Sequence, residues 1–578
     1  MFNKYYQDEL AYLRELGQEF AKANPEGAHF IAEAGGDPDV ERLLEGFSFL
    51  TARIRQKLDD ELPELTHSLI EMFWPHYLRA IPSMTIQQFE ALPQAAKEVR
   101  SIPRGAEMQS VPVDGTACRY HTAFDVTLLP MSIEAVALRT ETPPSLRVKF
   151  KMAEGVQLSK VAIPAIRLHL AGDASASRSL YLCLRRYLKR ITVQAPGGKP
   201  VELSKATVRP VGFGPEEMLL PFPGNSYTGF RLLQEYFAFP SKFMFVDVAG
   251  LDGIQALGAA PSFELVFDLS RLAEEMPPVS AANVLLHCTP AVNLFAHEAD
   301  PIRLDHTRTE YKIRPSGDNS QHYEIYTLDK VSGVVKGVGK SREYRPLFRF
   351  TRPAGGDALF YRARLQPSVT DDGNDIFLHP LPADASGATP DIEVLSLELT
   401  CTNRGLPAKL KLGDVSVPTS QSPTFARFKN ITRPTSAIPP PIGSDLHWRL
   451  LSHLALNYLS LIDLDTLRTL LGLYNFRARV DRQAENAQRL LLDGIKRVAA
   501  SPATRLLEGH PIRGLSIEVD LDEDSFGSEG EAYFFGAMLD EFFSQYVSLN
   551  AFCRLTVKGV KYGEIHAWPT RTGDRIIL

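Results

Sequence analysis

The stretch DPDVERLLEGFSFLTARIRQKLDDELPEL, Asp37 to Leu65, decides how the chain begins to fold. The Asp37 carboxylate is placed to take the free N–H groups of a helix start, and Pro38 suits the first turn, where its missing N–H leaves nothing unpaired. Apolar residues then fall at Val40, Leu43, Leu44, Phe47, Leu50, Ile54 and Leu58. This spacing of three and four lines one face of a helix. Pro63 closes the segment, and a helix from about Glu64 sets Leu65, Leu69, Met72 and Phe73 on one side before Trp74 and Pro75 stop it. Upstream, Tyr6, Leu10, Leu13, Leu16 and Phe20 repeat the pattern until Asn24 and Pro25. Residues 1–82 are therefore expected to form a helical unit.

Downstream the period changes. Runs such as SMTIQQFEAL, DVTLLP, SFELVFDL, HYEIYTL and EVLSLELT are β-branched or aromatic and lie between Gly, Pro and Asp clusters. The span is too long for one ordinary sandwich or barrel, so two β-rich modules are expected, 83–215 and 216–440, with a division near 300 as the alternative. The proline-rich ITRPTSAIPPPIGSD, Ile431 to Asp445, excludes helix and central strand and reads as a linker. Leucines return at helical spacing over 446–460 and 463–474, with Asp463 as a cap, and 480–500 is expected to continue as helix. LSIEVDL, EAYFFGAMLDEFFSQYV and FCRLTVKG then read as strand, helix and strand within a C-terminal unit, 441–578. The fold class expected is a multidomain α+β protein.

At 578 residues, 44% apolar and 23% charged, the chain has enough apolar surface to order several cores, so disorder is not expected. A net charge of -6 is too small to drive binding to nucleic acid or to an anionic membrane. Cys118, Cys183, Cys288, Cys401 and Cys553 stand singly, with no CxxC pair for a metal or redox unit, which suits a reducing compartment. The opening MFNKYYQDEL lacks the layout of a secretory signal, and charged residues interrupt the leucine-rich 446–474. A cytoplasmic protein without direct membrane insertion is expected.

Four segments imitate functional motifs. GVVKGVGKS, Gly333 to Ser341, resembles a phosphate-binding loop, but Val334 stands where that loop needs glycine, and the strand-like REYRPLFRF follows instead of a helix. Asp520, Asp522, Asp524 and Glu531 match calcium-ligand positions, but Ser525 replaces the turn glycine and a strand precedes them. His297, Glu298, Asp300, Asp305 and His306 offer metal-binding groups without a recognised spacing. Ser226, in GNSYTG, lacks the nucleophile-elbow pattern. No catalytic, cofactor-binding or metal-ligating set is therefore expected.

The run YYQDELAYLRELGQEFA, followed by the Asp37–Leu65 stretch and FWPHYLRAIPSM, resembles the opening of the TssF family of type VI secretion baseplate proteins, also called VasA or ImpG. CRYHTAFDVTLLP, GFRLLQEYFAFPSKFMFVDVAGLD, LLHCTPAVNLFAHEADPIRLD, LTCTNRGLP, WRLLSHLALNYLSL and FFSQYVSLNAFCRL continue the likeness in order from Tyr5 to Leu555. The resemblance implies a structural, non-enzymatic wedge subunit of a contractile injection machine. Two copies would join one TssG, with TssK and TssE, around the VgrG spike hub beneath the sheath and inner tube. Docking at the inner-membrane TssJLM complex would be coupled to contraction, and copies would contact one another within or between wedges.

Tyr5, Tyr6, Leu13, Phe20, Phe47 and Leu50 are candidate partner contacts, because a small helical unit has limited surface of its own to cover them. Core packing is the equal alternative. Tyr236, Phe237 and Phe239, in an aromatic segment with Tyr227, Phe230, Phe243 and Phe245, are further candidates, although a β-rich core also wants aromatics. Arg185, Arg186, Lys189 and Arg190 read as a solvated face, with contact to an acidic partner as the alternative. A carbohydrate- or metal-dependent binding module or enzyme on the β-rich middle is the alternative function.

Overall fold

The computed structural model describes residues 6–7, 9–16, 38–59, 63–222, 228–274, 276–335, 341–347, 359–368, 373–381, 392–442, 449, 462–507 and 510–573. They belong to two compact units, Met1–Leu78 with Pro441–Ala455, and Arg79–Pro440 with Leu456–Leu578. The chain is a multidomain α+β protein, helical at its ends and sheet-rich between.

The smaller unit is helical. Residues 9–16 are helix, and the Asp37–Leu65 stretch gives helices Pro38–Asp59 and Pro63–Phe73. Both open on proline, whose fixed φ suits a first turn. Trp74 and Pro75 end the second helix, and a short turn, Pro75–Leu78, is buried throughout. Arg449, returning from beyond residue 440, donates to the Tyr77 hydroxyl at 2.9 Å.

In the larger unit, strand Met84–Ala91 sits inside an antiparallel sheet whose order is Ala426–Asn430, Met84–Ala91, Cys288–Val292, Thr116–Thr122, Glu107–Val113. Its core gathers Phe89, Ile102, Met108, Tyr120, Val415 and Phe428. Two further antiparallel sheets follow. One runs Val201–Glu202, Leu188–Gln194, Ser262–Leu269, Ser145–Met152, Met131–Arg139; the other runs Thr207–Val211, Phe245–Ala249, Ala165–Leu170, Val284–Leu285. A larger sheet is built around Glu393–Thr402, whose side chains alternate buried and exposed along most of the strand, as one covered face requires.

The divisions expected at 215 and near 300 do not separate sheets. Position 215 lies between the paired strands Thr207–Val211 and Phe245–Ala249, and 300 lies between Phe295–Glu298 and Ile302–Leu304, which both pair with Glu393–Thr402. The proline-rich stretch is docked where it is described: Ile431 and Thr435 donate backbone N–H groups to the carbonyls of Ile86 and Met84, and Ile438 and Ile81 exchange two bonds. Thr432 and Thr435 hydroxyls also accept from the Ile86 and Met84 N–H groups, so hydroxyls replace the ladder that proline cannot form.

Leu464–Tyr474 is the expected helix, with the Asp463 carboxylate accepting from the Thr466 N–H at 3.0 Å. The helix expected over 480–500 stops short. Arg482–Gly494 is helical, but Ile495–Leu507 is a strand laid against His510–Leu521. A continuous ladder of backbone bonds overrides the helix preference of Ala499 and Ala500. Pro502 is tolerated because this is the outer strand of its sheet. His510–Leu521, helix Glu529–Ser544 and strand Ala551–Gly559 then form a strand–helix–strand unit with its two strands parallel.

Candidate assembly surface

Helix Pro38–Asp59 presents its faces in an unusual order. Ser48 and Ala52 are fully buried, whereas Leu43, Phe47, Leu50 and Ile54 are 73%, 55%, 60% and 60% exposed. At roughly 100° per residue those four fall within one narrow arc, on the opposite side from Ala52. Their spacing of four, three and four is that of a coiled-coil seam, whose knobs need the holes of a facing helix. The buried side needs only small residues, and the hydroxyls there are satisfied within the helix: Ser48 donates to the Leu44 carbonyl at 2.7 Å and Thr51 to that of Phe47 at 2.9 Å. Covering each exposed side chain would contribute about 1.5–3 kcal/mol.

Among the sequence candidates, Phe47 and Leu50 lie on this stripe, while Tyr6 and Leu13 are half-buried in the first helix. Tyr5 and Phe20 lie outside the described residues. Leu43 and Ile54 complete the stripe but were not singled out, because periodicity marks an apolar face without saying whether it points inward. Tyr236 and Phe239 correct the expectation of a second contact patch: both are buried in the chain's own core, and Phe237 is half-buried. The reason is the C-terminal helix, whose Phe534 ring stands 5.1 Å from Tyr236 and 6.0 Å from Phe243. Nearby, Lys242 and Glu235 form an ion pair with neither side chain exposed, and the Glu235 Oε1 accepts from the Leu219 and Leu220 N–H groups at 2.8 and 2.9 Å.

The motif imitations resolve one by one. Val331–Val334 pairs with Ser341–Tyr344, so the phosphate-loop look-alike joins two strands; 336–340 lie outside the described residues, as does Ser226. The four calcium-like carboxylates each meet a cation: Asp520 with Arg497, Asp522 with Lys496, Asp524 with Lys561 and Glu531 with Arg178. His297 stacks on Tyr323 at 4.7 Å and bonds the Ser316 carbonyl, while Asp305 accepts from Thr307 and Tyr311; the two do not converge. Burial pushes the Cys118 and Cys183 thiols up to about 11 and those of Cys401 and Cys553 up to about 12, far from a reactive thiolate. Cys288 goes further in the same direction.

Among the described residues, Glu529, Glu564 and His566 do bring metal-ligating atoms together, within 4.8 Å of one another. Arg271 bonds both carboxylates, and the Tyr187 hydroxyl donates to each, at 3.0 Å to Glu564. The sequence hid this group because Glu529 enters from a different element.

An outward apolar seam on a helical unit is a surface that another protein chain can cover. The family model for "Type VI secretion system, TssF" matches residues 1–575, and the chain belongs to that family. It is similar to the type VI secretion system component TssF1 of Pseudomonas aeruginosa, with 32% identity over 623 aligned positions covering 99% of this chain and 98% of the other. Among solved structures it is similar to a chain of a TssK-TssF-TssG baseplate subcomplex seen by cryo-electron microscopy, with 34% identity, a TM-score of 0.78, and 93% of this chain and 99% of that one covered. It is also similar to a chain of the baseplate complex from the type VI secretion system, with 26% identity, a TM-score of 0.65, and 100% of both chains covered.

Proposed function

We propose that this chain is a non-enzymatic wedge subunit of a type VI secretion baseplate, working in the cytoplasm beneath the inner-membrane complex. Two copies assemble with one TssG, and TssK and TssE join them around the VgrG hub. The wedge then nucleates the tube and sheath and couples docking to contraction. Family membership along the whole chain supports the baseplate role, and the relative solved together with TssK and TssG supports those two partners. Among the described residues, no helix is long and apolar enough to cross a membrane, in keeping with docking through other proteins.

The observation that carries the reading is the exposed seam Leu43, Phe47, Leu50 and Ile54. Four large apolar side chains in register are far more stable covered than wet, and a facing helix of another subunit covers them without altering this fold. The proposed division is 1–82, 83–215, 216–440 and 441–578, with strands paired across 215. Co-expression with TssG followed by affinity capture tests the reading. Recovery of TssG with the wild-type chain, and its loss on Phe47→Asp with Leu50→Asp, is expected; equal recovery with the variant would contradict it.

A further inference from the structure

We infer that Glu529, Glu564 and His566 form a site for one divalent cation of the zinc class, which ties the start of helix Glu529–Ser544 to strand Ile565–Ala567. Three observations converge on it. The donor atoms lie within 4.8 Å of one another. His566 is 8% exposed at its side chain, its Nδ1 has no hydrogen-bond partner, and its Nε2 stops 3.9 Å from the Glu564 Oε2. That gap is too long for a hydrogen bond, and it would have to close by only about 0.3–0.6 Å to reach the ~3.3–3.6 Å between two ligand atoms that each stand about 2.0–2.2 Å from a tetrahedral zinc ion. Finally, the cavity lined by Glu274, Glu529, Glu564 and His566 has room, at about 10 Å³, for one water-sized body.

The local charge favours a cation. Arg271 is shared between Glu529 and Glu564, so two carboxylates face one guanidinium. The Glu564 Oε2 takes the bonds from Arg271 and Tyr187, partners of the kind that orient a ligating carboxylate. Glu564 and His566, two apart along extended chain, project to the same side, and Glu529 comes from the first turn of the helix. Tyr187 closes a single π-helical turn, Cys183–Tyr187, which aims its hydroxyl at both carboxylates. One imidazole nitrogen with two carboxylate oxygens and an open fourth position suits zinc better than magnesium or calcium, which take oxygen alone.

The test is zinc chloride titrated into the chelator-treated full-length chain, followed by calorimetry and by thermal shift. One zinc per chain is expected, with a raised unfolding temperature. His566→Ala should weaken binding on the order of 100-fold or more, since even outer partners of a metal ligand are worth 10–100-fold. Glu564→Gln, which keeps the side-chain shape, should do the same and guards against a His566→Ala chain that does not fold. Cobalt in place of zinc should give the visible bands of a four-coordinate site. Substoichiometric binding, or binding unchanged in both variants, would mean that the cavity holds only water and would overturn the inference.

Discussion

Phe47 and Ser48 are neighbours in the chain with opposite surroundings: the phenyl ring is more than half exposed, and the small hydroxyl beside it is completely buried. A helix serving only its own core would face the other way, because a buried large apolar group contributes far more than a buried serine. The orientation has consequences that can be measured on the isolated chain.

Phe47→Ser and Leu50→Ser should lower the unfolding temperature of the chain only slightly, since each side chain is more than half exposed. Ala52→Leu, on the buried side, should destabilise by about 1–3 kcal/mol through overpacking. Calorimetric scans of the three variants check this; a large loss with the serine variants and none with Ala52→Leu would reverse the assignment of faces.

The Glu235–Lys242 pair gives a second contrast. Lys242→Met leaves a carboxylate buried without its counter-ion and should cost about 3–5 kcal/mol. Combining it with Glu235→Gln should restore most of that, because the glutamine oxygen still accepts from Leu219 and Leu220. Chemical denaturation of the single and double variants measures the difference. Equal losses in both would show that the ion pair itself is what stabilises this region.

Legibility in the sequence followed the range of the forces involved. Helices Pro38–Asp59 and Pro63–Phe73 were readable because cap, proline and apolar period all lie within one segment. The strand Ile495–Leu507 was not, since its backbone partners, and not its side chains, decide it. Sheet order was equally hidden: Gln87 donates to the Val415 carbonyl, and strand Met84–Ala91 lies between strands centred far along the chain. Phe47 and Leu50 could be nominated from spacing, but the outward direction of the stripe depends on what covers Ser48 and Ala52. For Tyr236 and Phe239 the sequence left partner contact and core packing both open, because the helix packed against Tyr236 is encoded far away, near the C-terminal end.

Acid should weaken the fold through buried histidines, His169 and His287 among them. Burial pushes His169 and His287 down to about 4, and the His287 Nε2 must stay unprotonated to accept from the Leu129 N–H at 3.0 Å. A histidine with a depressed folded-state pKa stabilises fully above its unfolded value near 6.5, and that contribution fades as pH falls toward 4. The loss amounts to about 3 kcal/mol for each residue. Asp540, raised to about 6 by burial, opposes the trend, because its neutral form is the one the fold prefers. His287→Gln retains an acceptor and should flatten the fall in unfolding temperature between pH 6.5 and 4. Superimposable pH profiles for variant and wild type would remove His287 from the account.

Gly530→Ala tests the joint between the C-terminal helix and helix Ala174–Leu182. A Cβ there would meet the backbone of Arg178 and Ser179 at 2.8 Å, and backbone cannot move aside as a flexible side chain does. A loss of about 1–3 kcal/mol is expected. Unchanged stability on denaturant titration would mean that the two helices are free to separate.

The most direct test of the central claim is the mass of the complex formed when the chain is co-expressed with TssG, measured by native mass spectrometry. Two copies of this chain with one TssG are predicted, giving way to free chain when Phe47 and Leu50 are both replaced by aspartate. A stable, monodisperse monomer that ignores TssG, or an assembly indifferent to those two substitutions, would contradict the claim that the outward seam is covered by another subunit.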